Sequence, residues 1–240
     1  MKRNDLITIL IVVTILSPFF LSETFYDTYN LLNTNHSMIM SFVKFALLAT
    51  FGEMIALRLQ TGKYNQKGFG IMPRAIVWGF LGITIKIAFV IFAAGTPVLL
   101  GYLGLNIVAI STARLSLQSV FIAFSISTFM NIMYAPIMMT FHKITDIHII
   151  TTGGTVSGLF KPIQFGTILA QIEWKRQWDF IFKKTIPFFW IPAHTVTFLL
   201  PANFQVLFAA MLGIALGIIL SFIKSQKPEQ INSIQSNNTE

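Results

Sequence analysis

Four ionisable residues stand inside or beside long apolar runs: Lys44, Glu53, Lys86 and Arg114. A charge in hydrocarbon is costly, so such groups pair, face a cavity, or reach along their own stems for the interface. Lys44 and Glu53 are nine positions apart, about 180° around a helix of 3.6 residues per turn, so they cannot meet each other. Glu53 and Lys86 belong to successive runs and are expected to pair. That pair has two readings: part of a polar path for a solute, or a structural ion pair with the lysines snorkelling. Ser111, Gln118 and Ser125 recur every seven residues with Arg114 beside them, which sets a polar stripe on one helix face. A stripe of this kind lines a pore or glues helices together. Asn131 lies off the stripe and suits an interhelical hydrogen bond.

Three further sites carry chemistry-bearing side chains. His142 and Asp146, at i and i+4, share a helix face, and His148 follows closely. A metal would need a matched third ligand, and none stands out, so capping or an interface contact is the simpler reading. His194 sits in a Pro-x-His setting after Pro192; it is read as a structural histidine, with a proton-sensitive gate as the alternative. Thr151–Gly158 is glycine-rich but lacks the Lys-Ser/Thr ending of a phosphate loop. There is no G-x-S-x-G elbow, no H-E-x-x-H and no cysteine. The expectation is a non-enzymatic protein with no catalytic residue, no metal and no cofactor.

The elements that must position these residues are membrane helices. Lys183–Lys224 reads as two crossings back to back, broken at Pro201-Ala202-Asn203, with lysines at the outer ends and none at the turn. Lipid requires each backbone N–H and C=O to be satisfied within its own segment, which a helix does. Six spans are expected, near 6–21, 38–59, 75–94, 114–139, 186–200 and 204–222. The first follows Lys2 and Arg3 and has no small-x-small cleavage site after it, so it is read as an uncleaved helix. Glu23–Ser37 is polar. Gly95–Gly104, with Pro97 and three glycines, is expected to turn at the far surface. Phe141–Lys184 is expected to be a long polar connection, with Trp174 and Trp178 among basic neighbours marking an interfacial helix. Residues 1–225 form one transmembrane domain in this reading, and 226–240 a disordered polar tail.

Composition excludes most alternatives. The 240 residues are 54% hydrophobic and 11% charged, with mean hydropathy +0.70, against about 25% charge in soluble domains. Twenty-four Phe with only nine acids would leave a large apolar patch in water. The runs are continuous rather than alternating, which excludes an outer-membrane barrel. The net charge of +8 has no basic cluster interleaved with exposed aromatics, so nucleic acid is not an expected partner. With six spans, 14 of the 17 Lys and Arg fall on one side. That places both termini in the cytoplasm.

The run Trp190-Ile191-Pro192-Ala193-His194-Thr195-Val196-Thr197-Phe198-Leu199-Leu200-Pro201, continuing to Val206 and Leu220-Ser221, resembles the C-terminal signature of the Mpv/PMP membrane proteins. These are peroxisomal membrane proteins and their mitochondrial inner-membrane relatives. Trp190, Pro192, Phe198 and Pro201 match the pattern. Gly52-Glu53 looks like the family's Gly-Asp, and Leu117-Gln118 with Ala135-Pro136 looks like its Asp-Gln…Pro segment. Trp174 and Trp178 stand where the family has a Trp-rich stretch. His194 stands near the family's Gln, Thr197 replaces its Asn and Gln205 its Arg, departures that suit a bacterial branch in the cytoplasmic membrane.

The resemblance implies an integral membrane protein without known catalysis, whose relatives are thought to form small-solute pores. The combined expectation is an all-α polytopic bundle acting as a channel or carrier, with Glu53, Lys86, Arg114, Gln118 and His194 on the solute path. A membrane scaffold or stress-response factor is the alternative, and a lipid-modifying enzyme a second. The bilayer is the expected partner, the solute is unknown, and a homo-oligomer is compatible with the sequence.

Overall fold

The structure is a computed structural model that describes residues 3–105 and 116–225, with side chains to residue 219. Arg114, Ser111 and the expected polar tail lie outside the described residues. Every regular element among those described is helical, as expected of an all-α chain. Four helices are long and apolar enough to cross a membrane: α1 (Arg3–Leu21), α3 (Ser37–Thr61), α4 (Ile71–Tyr102) and the Ala202–Ile219 part of α11 (Ala202–Ser225). The pair α5 (Leu117–Met133) and α6 (Ala135–Thr151), bent by 45°, makes a fifth if it crosses as one span. These helices make this an integral membrane protein, with four or five crossings by length and composition where the sequence suggests about six.

The chain divides into two compact units, one ending at Met40 and one beginning at Ser41. In the first, α1 buries none of its residues, as suits a helix whose neighbours are lipid chains. The polar stretch after it is α2 (Glu23–Asn35). Ser22 caps it, its hydroxyl accepting the Phe25 N–H at 3.2 Å. The Phe19 ring meets Phe25 and Tyr29 edge-on, at 4.9 and 5.1 Å between centroids, and fixes the α1–α2 corner.

In the second unit, α3 and α4 cross closely because Gly79 and Gly82 present no side chain. A Cβ on Gly82 would lie 2.7 Å from the Ser41 carbonyl oxygen and 2.6 Å from the Phe45 Cβ. Small residues do this in lipid, where packing rather than water exclusion drives association. Gly52 of α3 is likewise pressed against Ile214 of α11. The expected turn at Gly95–Gly104 is displaced: α4 runs helical through Pro97 to Tyr102, about 48 Å in all. That exceeds the roughly 30 Å hydrocarbon thickness. A single proline weakens a helix without ending it when its flanks are apolar and well packed.

Helix α5 starts with a reciprocal capping box between Ser116 and Ser119. Pro136 ends its continuity. Without an N–H, and with its ring against the preceding turn, it forces the bend at Tyr134. Beyond the bend, α6 carries helix through what the sequence marks as polar connection. Short helices follow: α7 (Val156–Leu159), α8 (Phe165–Gln171) and α9 (Trp174–Arg176). A π-helix, π1 (Gln177–Trp190), then runs straight into α10 (Ile191–Leu199). The expected crossing at 186–200 is therefore the end of one continuous helical run, and its two pieces are each shorter than a spanning helix. Phe45, Ala49, Ile85, Phe89, Ile122, Ile126, Met130, Phe198 and Ala210 form the main core, contributed by α3, α4, α5, α10 and α11.

Candidate functional site

Two buried polar clusters occupy the second unit. The first is built by two i,i+4 pairs that project from different helices around Glu53 of α3, three of the four side chains bonding it and Asp146 meeting Arg74. From the first turns of α4 come Arg74 and Trp78; from α6 come His142 and Asp146. The Glu53 carboxylate accepts from Arg74 through Oε2. Through Oε1 it accepts the Trp78 indole N–H at 2.9 Å and the His142 Nε2–H at 3.0 Å. Arg74 also pairs with Asp146, donates its Nε–H to the Phe69 carbonyl at 2.7 Å, and lies 4.5 Å over the Phe69 ring. Lys143 stands 4.0 Å from Asp146. With His142 neutral, two carboxylates face two cations and the cluster is balanced. The His142 and Trp78 rings lie 4.4 Å apart.

The backbone around this cluster is equally constrained. Gly70 and Gly154 both have positive φ, at 73° and 70°. A Cβ on Gly154 would fall 2.7 Å from the Gly68 carbonyl oxygen. The Thr151–Gly158 stretch is thus a turn whose glycines let it lie backbone to backbone on the loop before α4.

The second cluster joins α5 to α10. The Ser127 hydroxyl donates to the Ile191 carbonyl at 2.7 Å. Asn131 Nδ2 donates to the Ser127 carbonyl at 2.8 Å and lies 3.1 Å from His194 Nδ1. Ser127, Asn131 and Thr197 are fully buried and His194 nearly so. Phe89 meets the His194 ring edge-on at 5.7 Å, and Trp190 lies 5.1 Å from it. The Tyr134 hydroxyl shares a 2.7 Å hydrogen bond with the exposed Thr84.

No family model matches the chain, and no curated protein or solved structure matches it either.

The residues singled out from sequence separate in the fold. The expected Glu53–Lys86 pair does not form, because Arg74, Trp78 and His142 already satisfy Glu53. Lys86 is half-buried on α4, and Lys44 is buried on α3. Gln118 is exposed in the first turn of α5, while Ser125 is buried with its hydroxyl turned back to the Phe121 carbonyl. The two do not form one inward polar face among the described residues. His148 parts from His142 and Asp146 and donates to the Leu159 carbonyl at 3.2 Å. Phe198 is buried against Phe89 at 4.9 Å. Pro192 opens α10, and Pro201 stands in the break before α11, where Gln205 donates across to the Leu200 carbonyl at 3.0 Å. Sequence reasoning missed Arg74 and Trp78 as partners of Glu53. The available signal was their i,i+4 spacing just inside the third apolar run.

Proposed function

We propose that this integral membrane protein is a channel or carrier for small solutes, of the Mpv/PMP type its C-terminal residues resemble. One observation carries the reading: polar side chains recur at successive levels of the packed interior. They are Glu53 with Arg74, Lys44 of α3, and Asn131 with His194. Each polar group is expensive at membrane depth. In a packed bundle with no transport role, apolar residues would fill these positions at lower cost. Residues Glu53, Lys86, Gln118 and His194 are assigned to the path, together with Arg114 of the segment outside the described residues.

The positive-inside distribution supports both termini facing the cytoplasm of a bacterial inner membrane. The contact of Gly154 with Gly68 supports it further, since it gathers the basic 62–70 loop and the end of α6 at one end of the bundle. The test is flux through purified protein in liposomes. The expected result is solute efflux that Lys86→Met reduces. Equal efflux from wild type and from Glu53→Gln, Lys86→Met and Gln118→Leu would refute the site assignment. Single-channel recording in planar bilayers separates a pore from a slow carrier.

A non-transporting scaffold is the second reading. It draws on the saturation of the Glu53 carboxylate by three donors, together with the glycine-mediated closeness of α3, α4 and α11. It predicts no flux from folded protein.

A further inference from the structure

The polar cluster between α5 and α10 has a hydrogen-bond inventory that its own side chains do not close. The Ser127 carbonyl can only accept, so the Asn131 side-chain atom 2.8 Å from it is the amide nitrogen, and the amide orientation is settled. The second N–H of that amide points at His194 Nδ1, 3.1 Å away. Nδ1 must therefore offer its lone pair, and the ring proton sits on Nε2. Asn131 Oδ1 is then left buried without a partner, and so is the indole N–H of Trp190. Asn131 and Trp190 both touch the His194 ring, so one donor and one acceptor stand unmet beside one imidazole. Each unmet buried group costs about 1–3 kcal/mol, which a fold retains only where something else supplies the partners.

We propose that Asn131, His194 and Trp190 form a binding subsite for a small uncharged solute that both accepts and donates hydrogen bonds, of the alcohol or primary-amide class. The inference rests on the solute-path reading and names the chemistry of one station on it. A hydroxyl or amide group takes the Trp190 indole proton on its oxygen and gives its own to Asn131 Oδ1. A carboxylate has no proton to give to that oxygen. A cation presents donors to donors. The contacts around the ring, Asn131, Trp190 and Phe89, carry no charge that would favour an ion.

The test is the indole N–H resonance of Trp190 in 15N-tryptophan-labelled full-length protein in lipid nanodiscs, titrated with glycerol, acetamide, sodium acetate and guanidinium chloride. Trp190→Phe assigns the signal. Glycerol and acetamide are expected to shift it saturably, while acetate and guanidinium leave it unmoved. Asn131→Leu is expected to weaken the apparent affinity about tenfold, and His194→Gln serves as the conservative second variant. A signal that moves equally with all four solutes, or with none, overturns the proposal. So does an indole proton that exchanges only with water, which would make water the sole occupant. Binding without flux in liposomes would refute the path and leave the subsite. Flux of glycerol or acetamide without the saturable shift would do the reverse.

Discussion

Glu53 and His142 stand 89 residues apart in the chain and meet at 3.0 Å, so that α3 and α6 are held together by a carboxylate and an imidazole. Arg74 completes the junction from α4. The three helices are thereby fixed at one end by a cluster in which every charge has a counterpart. Breaking a buried pair by removing one member leaves the other charge uncompensated, which is far worse than removing both.

Arg74 is the member with most to lose. Arg74→Met would leave Glu53 with only the Trp78 and His142 donors and Asp146 with only Lys143 beside it. The expected cost is about 3–5 kcal/mol, read as a lowered unfolding midpoint by circular dichroism in a mild detergent. His142→Gln keeps a neutral donor near Glu53 and should cost under about 1.5 kcal/mol. Equal midpoints for Arg74→Met and the wild type would mean that the pair is solvated and contributes little.

Two glycines of one helix separate close packing from backbone preference. Gly82→Ala places a methyl 2.7 Å from the Ser41 carbonyl oxygen, so α3 and α4 must move apart. Overpacking of this kind costs about 1–3 kcal/mol. A Cβ on Gly95 meets nothing within 4 Å, so Gly95→Ala should stabilise α4 by up to about 1 kcal/mol through helix propensity. The same melting experiment reads both. Changes of the same sign would show that α3 and α4 do not cross at Gly82.

Much of this architecture is legible in the sequence because hydropathy and breaker residues report on length and continuity. Pro201 breaks the chain where the sequence suggests, and the apolar runs at 38–59 and 75–94 lie within α3 and α4, whereas the span expected at 114–139 is bent ahead of Pro136. Partner choice is not legible in the same way. Glu53 lies in a run with Lys86 in the next, and the i,i+4 spacing of Arg74 and Trp78 does not by itself say that Arg74, read from sequence as a loop charge, is the one that reaches it. That depends on how far down α4 the crossing at Gly82 sets the register. Asn131 with His194 was half visible. The asparagine suits an interhelical bond by its type and position, but its partner emerges only once α10 packs on α5. The π-helical run has no clear signature in composition, and the helical character of 141–151 is hidden by its polar residues.

The turn after α6 offers a third contrast. Gly153 and Gly154 both have positive φ, at 82° and 70°, so alanine is strained at either by about 1–2 kcal/mol. Gly153 faces open space, whereas a Cβ on Gly154 would meet Gly68 backbone at 2.7 Å. Gly154→Ala should therefore cost more than Gly153→Ala and should loosen the 62–70 loop. Proteolysis at Lys63 and Lys67 by trypsin checks this: faster cleavage is expected for Gly154→Ala alone. Matched rates in the two variants would show that the loop and the turn are not in contact.

Ser127 gives the last and most local prediction. Its hydroxyl is fully buried and donates to the Ile191 carbonyl, while its own backbone carbonyl orients Asn131. Ser127→Ala removes the donor but leaves the backbone acceptor, so Asn131 and the His194 tautomer should stay as they are. The expected loss is about 0.5–1.5 kcal/mol, with the nitrogen chemical shifts of the His194 ring still reporting a proton on Nε2. Asn131→Leu removes the donor that holds Nδ1 as an acceptor, and there the ring should populate both neutral tautomers. If Ser127→Ala alters the tautomer as strongly as Asn131→Leu does, the hydroxyl rather than the amide orients the imidazole. The hydrogen-bond order of the cluster would then have to be reassigned.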